Sequence, residues 1–437
     1  MATQNNVVNK ARSAKSAQRA LSTLSDKKRR AALKSVANAL RFNSAKIINA
    51  NQVDVELAGR DVKAGKLSPA LLRRLMVSED KIATMAAGVD AVARLPDPVG
   101  RIASSMELDE GLLLEQVTCP IGVIGAVFES RPDAAVQIAA LCLKSGNAVL
   151  LKGGSEAKET NRILVKLIAS ATGSTGFVPR GWIGIIETRD DVRQVLELDE
   201  YIDLLIPRGS NEFVRYIQSN TQIPVLGHAD GICHVYVDKR ADIEMAIRIV
   251  LDSKTQYPAV CNAAETLLVH REIADRFLPK VTVALRKAGV EIRGCAKTRQ
   301  LVSGLKSARR GDWNTEYLDL ILAVKIVESQ DQAVDHINRY GSGHTDCIVT
   351  KSNPRARSFM SLVDSACVFH NASTRFADGY RFGLGAELGI STNKTHARGP
   401  VGLEGLVIYN YHLRGQGHIV ADYSGKNPRK FTHRKIS

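Results

Sequence analysis

Short runs of β-branched and apolar residues alternate with helical patterns from about residue 147 onward. The pattern between the first two runs places Ile163, Leu164, Leu167 and Ile168 on one helical face. The runs are AVLLK at 148–152, WIGII at 182–186, IDLLI at 202–206 and CHVYV at 233–237. Strands that alternate with helices form parallel sheets with helices on both faces, so the pattern predicts an α/β fold.

The same alternation starts again after Asp238. A helical pattern leads to TLLV at 266–269, and a later helical pattern lies between LAVKIV at 322–327 and CIVT at 347–350. Two α/β units that join near residue 238 account for this repetition.

Two segments do not follow this alternation of strands and helices. Residues 102–119, IASSMELDEGLLLEQVTC, alternate apolar and polar residues around an Asp-Glu-Gly turn, which is typical of a β-hairpin. The C-terminal run LVIYNYHLRGQGHIV at 406–420 is also strand-like. Extended strands outside the main sheets commonly pair between subunits, so we expect both segments to serve oligomerisation.

The basic N-terminal segment has two interpretations. Lys and Arg are frequent in the first forty residues and acids are scarce before Asp26, which is typical of a mitochondrial transit peptide. However, Leu33, Val36, Ala37 and Leu40 follow the spacing of an amphipathic helix. We favour the helix.

The composition is that of a globular chain of two or three domains. The 437 residues are 44% hydrophobic and 24% charged, and no apolar run approaches the roughly 20 residues that a membrane-spanning helix needs. Seven cysteines without a C-x-x-C pair argue against a disulfide framework and a structural zinc. We therefore expect a protein of a reducing compartment, the cytoplasm.

The formal net charge of +15 raises the hypothesis of a nucleic-acid-binding protein. The Lys and Arg residues are spread along the chain, with clusters only at 27–30 and 306–310, and aromatic residues make up 5%. This distribution favours a solvated surface with affinity for anionic small molecules.

Two loops that follow predicted strands are candidates for phosphate binding, although neither G-x-G-x-x-G nor a P-loop motif occurs in the chain. The loop at 151–157 offers a cation, two glycines and a serine that could cap the next helix: Lys152, Gly153, Gly154 and Ser155. In the loop at 207–212, Gly209 and Ser210 precede a helix whose free N–H groups suit a phosphate. Taken singly, each could also be an ordinary βα loop.

Among the seven cysteines, Cys261 is the best candidate for a nucleophile. Small residues surround it in TQYPAVCNAAET at 255–266, whereas Cys142 lies in the apolar run IAALCLKSG. A thiolate that attacks a carbonyl carbon needs such access, together with donors for the developing oxyanion. The alternative is a buried structural cysteine, which is the common state of a free thiol.

The chain resembles the gamma-glutamyl phosphate reductases, also called glutamate-5-semialdehyde dehydrogenases, a branch of the aldehyde dehydrogenase superfamily. The resemblance rests on GVIGAVFESRP, LLIPRGSNEF, TQYPAVCNAAET and GLGAELGISTNKTHARGPVGLEGL in this order, and it covers nearly the whole chain. It implies two Rossmann-like parallel-sheet domains plus an oligomerisation hairpin and a C-terminal strand. The implied reaction is the NADPH-dependent reduction of L-glutamyl 5-phosphate to glutamate 5-semialdehyde and phosphate, the second step of proline biosynthesis.

The resemblance also implies roles for particular residues. Cys261 would carry the glutamyl group as a thioester, with Ser130 and Asn262 completing the catalytic set. The cofactor would be held by residues of three segments: Lys152, Gly153 and Ser155; Arg208, Gly209 and Ser210; and Glu316. The substrate would be bound by Arg131, Ser391, Thr392 and Arg398. For Ser130, Lys152, Glu316 and the two arginines, a purely structural role is the alternative.

One departure from the wider superfamily bears on the reaction. Aldehyde-oxidising members use a Glu in an E-L-G-G stretch to activate water, and the corresponding VLGHADGICHVYVD at 225–238 contains no Glu. An acyl-phosphate reductase needs no such base, because phosphate leaves or attacks. Two rival hypotheses remain, a non-phosphorylating semialdehyde dehydrogenase and a nucleic-acid-binding or scaffold protein on an inactive enzyme fold.

The resemblance suggests a division into three parts and a set of partners. We expect an NADP-binding domain at 1–238, a catalytic domain at 239–372, and a segment at 373–437 that returns to the first domain and ends in an oligomerisation arm. We also expect a homo-oligomer. A glutamate 5-kinase would supply the substrate, and whether it also binds the chain is open.

Overall fold

The computed structural model describes residues 2–129, 131–209, 211–228 and 230–436. Its α-helices are α1 Ala2–Leu21, α2 Asp26–Phe42, α3 Ser44–Lys63, α4 Pro69–Leu75, α5 Glu79–Arg94, α6 Pro132–Lys144, α7 Lys158–Gly173, α8 Arg189–Leu196, α9 Asn211–Ser219, α10 Ile243–Thr255, α11 Arg271–Lys287, α12 Ala296–Leu301, α13 Gln330–Tyr340 and α14 Asn353–Leu362. Its strands are β1 Ile102–Asp109, β2 Leu112–Pro120, β3 Val123–Phe128, β4 Ala148–Lys152, β5 Ile183–Ile186, β6 Leu204–Arg208, β7 Cys233–Val237, β8 Ala264–His270, β9 Glu291–Gly294, β10 Lys306–Ser307, β11 Ile321–Val327, β12 Thr345–Val349, β13 Cys367–His370, β14 Gly389–Ser391, β15 Gly399–Val401, β16 Val407–Arg414 and β17 Arg434–Lys435.

The first parallel sheet has four strands in the order β5-β4-β3-β6. Its strands are buried on both faces, because helices from the N-terminal region pack on it together with α6 and α7. The predicted helix around Leu33 and Leu40 is confirmed as α2, whose apolar face is buried in this core. The segment 388–406 also contributes to the core, through Leu388 and Leu403.

The second parallel sheet has seven strands in the order β10-β9-β11-β8-β7-β12-β13. Alternate residues of one strand enter two separate cores, since successive side chains of a strand point to opposite faces. Val235 and Val237 of β7 pack on the face covered by α10 and α11, while Tyr236 packs with Phe359 of α14 on the other face. The predicted α/β class with parallel sheets is confirmed.

Strand β7 bears on the boundary predicted near residue 238. It pairs in parallel with β8 and β12, so it belongs to the second sheet although it precedes residue 238. If each sheet defines a domain, the boundary falls before Cys233. We propose this earlier boundary in place of the one at 238.

The predicted hairpin at 102–119 is confirmed as β1 and β2, which pair antiparallel. Strand β16 adds to β2 along its whole length, and β17 adds to β1. The sheet β16-β2-β1-β17 therefore joins the hairpin to the C-terminal arm. Along β16 the side chains of Tyr409, Tyr411 and Leu413 are exposed.

Within the described residues, the helices are too short or too polar to cross a lipid bilayer.

Candidate active site

Cys261 lies in the turn between α10 and β8, on the wall of a cavity of about 740 Å³. The cavity lies where β3 and β6 of the first sheet end, and Phe128 and Arg208 from these ends form part of its wall. The carboxyl ends of parallel strands are the usual place for ligands in open α/β sheets.

Cys261 is half-buried, whereas Cys142 and Cys347 are buried and their thiols have pKa values raised far above the ordinary range by burial. Cys119 and Cys295 are half-buried as well, so what distinguishes Cys261 is its place on the wall of this cavity, and its catalytic role stays a prediction.

Contacts from three segments fix the backbone around Cys261. A Cβ atom at Gly231 would overlap the carbonyl oxygen of Cys261, so this glycine permits direct backbone packing. The thiol of Cys233 donates a hydrogen bond of 3.2 Å to the same oxygen. The amide of Asn262 donates to the carbonyl of Ala377 over 2.8 Å and is buried. The side-chain nitrogen of Asn262 therefore holds the loop, whereas its Oδ1 has no hydrogen-bond partner among the described residues.

Two histidines flank the thiol. A ring nitrogen of His228, a ring nitrogen of His344 and Sγ of Cys261 all lie within 4.8 Å of one another. The Nδ1–H of His228 donates to the carbonyl of Ile390 over 2.6 Å, and burial lowers the pKa of His228 from its ordinary value. Burial thus favours the neutral ring, in which Nε2 is the proton acceptor when Nδ1 carries the proton. No sequence pattern singled out His344, which precedes β12 by one residue.

The cavity also holds a cation without a full set of partners. Nη1 of Arg208 is buried and has no hydrogen-bond partner among the described residues, and burial lowers the pKa of the guanidinium. The carboxylate of Glu387 and the thiol of Cys261 attract it electrostatically. Arg131, at the start of α6, lines the same cavity and forms a 3.1 Å ion pair with Asp133. A desolvated guanidinium beside a nucleophile is suited to binding a phosphoryl group.

Two charged residues near the thiol were missed by sequence reasoning. Arg375 is buried, donates through Nε to Gln256 and lies close enough to Cys261 for electrostatic attraction. Glu387 lines the cavity, and burial raises the pKa of its carboxyl. Both come from segments more than 100 residues after Cys261, so no spacing in the sequence connects them to it.

Residues 225–238 contain no Glu, so the acidic residue of this segment that lies near the cavity is Asp230. Its two carboxylate oxygens are engaged, one with Asn211 over 2.6 Å and the other in an ion pair with Arg215. A carboxylate held in this way is a poor base for water.

The first predicted cofactor loop lies in an adjoining cavity of about 590 Å³, which shares Phe128 and Glu129 with the cavity of Cys261. Lys152 and Ser155 line it. Ser155 does not cap α7 as predicted, because residues 155–157 form a 3-10 turn and α7 begins only at Lys158. A Cβ atom at Gly153 would overlap the amide of Asn161, so the close approach at this glycine is to the protein itself.

The second predicted cofactor loop faces the thiol cavity instead. Arg208 and Gly209 line the cavity of Cys261, and Ser210 lies outside the described residues. Glu316 lines the same cavity and accepts a 2.8 Å hydrogen bond from the side chain of Asn211 at the start of α9. This bond orients the Glu316 carboxylate.

The predicted substrate residues fall into two groups. Arg131 is on the cavity wall, and Ser130 beside it lies outside the described residues. In the segment 389–393, Gly389 and Ile390 form part of the cavity wall. The buried hydroxyl of Ser391 accepts a hydrogen bond from the backbone N–H of Asn393. Thr392 donates its N–H to Gly227, 3.4 Å away.

Arg398 is engaged in structural contacts. It donates to the carbonyl of Thr392 over 3.2 Å and forms an ion pair with Asp364 at 3.0 Å. This geometry supports the structural alternative for Arg398, which holds the 392 loop in place.

A half-buried thiol on the wall of a cavity at the carboxyl ends of parallel strands, with a second cavity adjoining it, is the arrangement of an α/β enzyme that acts through a cysteine. Residues 1–298 match the model of the aldehyde dehydrogenase family. The gamma-glutamyl phosphate reductase of Acetivibrio thermocellus is 57% identical over 406 residues, 93% of this chain and 93% of that one. The enzyme of the same name from Pelotomaculum thermopropionicum is 55% identical over 98% of this chain and 97% of its own.

A solved structure agrees with these matches. The crystal structure of gamma-glutamyl phosphate reductase from Thermotoga maritima has a TM-score of 0.91 and 41% identity, and the match covers 94% of this chain and 99% of that chain. The chain belongs to the aldehyde dehydrogenase family and, within it, to the gamma-glutamyl phosphate reductases. Members of the aldehyde dehydrogenase family use a nicotinamide cofactor.

Proposed function

We propose that the chain is an acyl-phosphate reductase that converts L-glutamyl 5-phosphate to L-glutamate 5-semialdehyde and phosphate with NADPH, the second step of proline biosynthesis. The observation that carries the proposal is the presence in one cavity of a half-buried thiol, Cys261, and an arginine whose buried Nη1 has no hydrogen-bond partner among the described residues, Arg208. Relatives named for this activity match nearly the whole chain.

The first half of the reaction is acyl transfer to sulfur. Cys261 loses its proton to Nε2 of His228, a neutral base oriented by its bond to Ile390. The sulfur then forms a bond to the acyl carbon, and the carbon–oxygen bond to phosphate breaks, with its electron pair leaving on phosphate. The proton held on His228 passes to the leaving oxygen, so phosphate departs as the dianion HPO₄²⁻ beside Arg208, and Ser130 is the proposed donor to the acyl oxygen.

The second half is reduction of the thioester. The residues present fit a dinucleotide, because the cavity lined by Lys152 adjoins the one that contains Cys261 and Glu316. Bound NADPH supplies a hydride to the thioester carbon. Glu316 would hold the nicotinamide ribose, and Lys152 would lie by the 2′-phosphate of the adenosine ribose. When the carbon–sulfur bond breaks, the aldehyde leaves and Cys261 is regenerated.

The position of Arg208 supports a change in its predicted role. It lines the cavity of Cys261 rather than the cavity of Lys152. We therefore assign Arg208 to the phosphoryl group of the substrate instead of the cofactor pyrophosphate, with Arg131 and Arg375 as further cations beside it. Ser155 keeps its proposed place along the cofactor, because it lines the cavity of Lys152. The cofactor roles of Gly153, Gly209 and Ser210 rest on the resemblance alone.

A non-phosphorylating dehydrogenase is the second candidate, and Glu387 is the observation that favours it. Its carboxyl lines the cavity of Cys261 with a raised pKa and could serve as a base for water. However, Glu387 accepts a 2.6 Å hydrogen bond from the backbone N–H of Gly379, which engages one of its oxygens.

Phosphate dependence separates the two candidates. With glutamate 5-semialdehyde and NADP, the acyl-phosphate reductase run in reverse forms NADPH continuously only when inorganic phosphate is present. Sustained NADPH formation without phosphate, abolished in Glu387→Gln, would establish the dehydrogenase instead. Cys261→Ser should abolish NADPH formation in either case. Its matched control is Cys295→Ser, because Cys295 is also a half-buried thiol but lies outside the cavity walls.

The proposal extends to assembly and location. The exposed edge of β16 and the hairpin β1–β2 are the surfaces through which we propose a homo-oligomer. The free thiols suit the reducing cytoplasm. A glutamate 5-kinase is the proposed source of the acyl phosphate.

A further inference from the structure

Cys261, His228 and His344 form a set of metal ligands around the nucleophile. One sulfur and two ring nitrogens lie within 4.8 Å of one another. Thiolate and imidazole are the ligands that Zn²⁺ prefers in proteins, whereas Mg²⁺ and Ca²⁺ prefer oxygen. The chemistry of the set therefore points to a soft divalent cation.

Both histidines have Nδ1 engaged, which leaves Nε2 as the free ligand atom. Nδ1 of His228 donates to the carbonyl of Ile390, and Nδ1 of His344 lies 2.8 Å from the hydroxyl of Thr345. Metal-binding histidines typically bond their second nitrogen to a carbonyl or a similar group, which fixes the tautomer and the ring orientation. The outer contacts of a metal site are thus already in place.

The Nε2 atom of His344 is an independent sign of a ligand. His344 is fully buried, and this nitrogen has no hydrogen-bond partner within the part of the chain that the structure describes. Leaving a buried polar atom without a partner costs about 1–3 kcal/mol. A cation bound at Nε2 would satisfy it.

The distances need only a small adjustment. Zinc bonds of about 2.0–2.3 Å in a tetrahedral site bring ligand atoms to about 3.3–3.6 Å from one another. The upper limit of 4.8 Å observed here exceeds this by about 1.2–1.5 Å. Rotation of the Cys261 side chain, which lies in a turn outside the sheets, can shorten the distances to its sulfur, and a shift of the His228 ring, which lies in a loop, can shorten the distance between the two ring nitrogens.

The surrounding charges are mixed. Glu316 and Asp230 act electrostatically on His228 in the direction that favours a nearby cation, and Arg208 acts against it. His228 and Cys261 both line the cavity, so water or a substrate oxygen would have access to an ion held by them.

We propose that this set binds one Zn²⁺ ion per chain and that binding inhibits the enzyme reversibly by occupying the nucleophile. A sulfur–zinc bond forms as the thiol proton is released to solvent, with no change in oxidation state. The site depends on the ligand geometry alone and does not rest on which acyl donor the enzyme uses.

The test uses the full chain, first treated with chelator and then titrated with Zn²⁺ in equilibrium dialysis and in the NADPH-forming assay. We expect one ion per chain, inhibition that chelator reverses, and an apparent Kd for Zn²⁺ raised at least about tenfold in His344→Asn. Cys295→Ser, which removes a half-buried thiol beside Thr298, should leave the Kd unchanged. NADPH binding by each variant verifies an intact cleft.

Co²⁺ gives a second measurement on the unaltered fold. Co²⁺ bound to the wild-type chain should show a near-ultraviolet charge-transfer band from thiolate, and the band should vanish in Cys261→Ser. If His344→Asn and His228→Asn bind Zn²⁺ in equilibrium dialysis as tightly as the wild type, the proposal is overturned. A cobalt complex without the thiolate band, or with the band retained in Cys261→Ser, would overturn it as well.

Discussion

A buried ion pair behind the nucleophile offers a quantitative test of how the site is supported. Nζ of Lys254, in α10, lies 2.6 Å from Oε2 of Glu265, in β8, and both side chains are fully buried. Burial raises the pKa of Glu265 to about 7 and lowers the pKa of Lys254, so desolvation outweighs the attraction between the two charges. Glu265 also accepts the N–H of Leu318, a residue of the cavity wall.

The loss of stability expected on removing one partner can be estimated from the geometry of the ion pair. At the observed separation of 2.6 Å the attraction is about 6 kcal/mol with an effective dielectric constant of about 20. Desolvation of the two charges offsets most of this, so the pair as a whole contributes little to stability. Removal of one partner leaves the other charge buried and unpaired, which costs about 3–5 kcal/mol. We therefore expect Lys254→Met to lower the free energy of unfolding by about 3–5 kcal/mol.

The double variant Lys254→Met/Glu265→Leu decides the interpretation. With both charges gone, we expect most of the lost stability to return, because apolar side chains can replace a buried pair at little cost. Urea unfolding of the wild type, both single variants and the double variant gives the coupling energy. A loss below about 1 kcal/mol in Lys254→Met, or losses in the double variant that equal the sum of the single losses, would refute the reasoning.

Three further predictions concern the cleft and the second domain. Arg208→Gln should lower kcat about 10²–10³-fold while NADPH binding, followed by fluorescence, is retained, and a rise in the NADPH Kd with unchanged kcat would instead favour the pyrophosphate role. Lys152→Ala should raise the KM for NADPH about tenfold or more and leave the KM for NADH unchanged, as steady-state kinetics with both cofactors will show. His336 is buried, and burial lowers its pKa to about 2 in the folded chain. As the pH falls below 6.5, the imidazole of His336 therefore gains a proton in the unfolded chain but stays neutral in the folded one. Stability should therefore fall as the pH drops below 6.5, and His336→Gln should reduce that loss by about 1.4 kcal/mol per pH unit in urea unfolding at pH 6 and pH 5.

The strands that could be predicted are those with strong local patterns. CHVYV and TLLV are β-branched runs bounded by turns, and both are strands. The strand Glu291–Gly294 was not predicted, because EIRG is short and charged. The sheet to which β7 belongs could not be derived from its own residues, since pairing with β8 and β12 is a tertiary contact.

The site residues also divide into those with a local sequence signal and those that only the fold brings to the thiol. Cys261 could be singled out because its small neighbours are adjacent in sequence, and Lys152 because it ends a recognisable strand before a loop. His344 and Arg375 follow Cys261 by more than 80 residues and approach it only through the packing of the second sheet. Ser391 lies in a recognisable motif, but its hydroxyl bonds to its own loop.

The first turnover in phosphate-free buffer tests the central claim most directly. With glutamate 5-semialdehyde and NADP, rapid mixing should give a burst of one NADPH per Cys261 as the thioester forms, followed by arrest until phosphate is added. Cys261→Ser should give no burst while it still binds NADPH. Continued NADPH formation in the absence of phosphate, or a burst in Cys261→Ser, would contradict an enzyme whose cysteine thioester is resolved by phosphate or hydride.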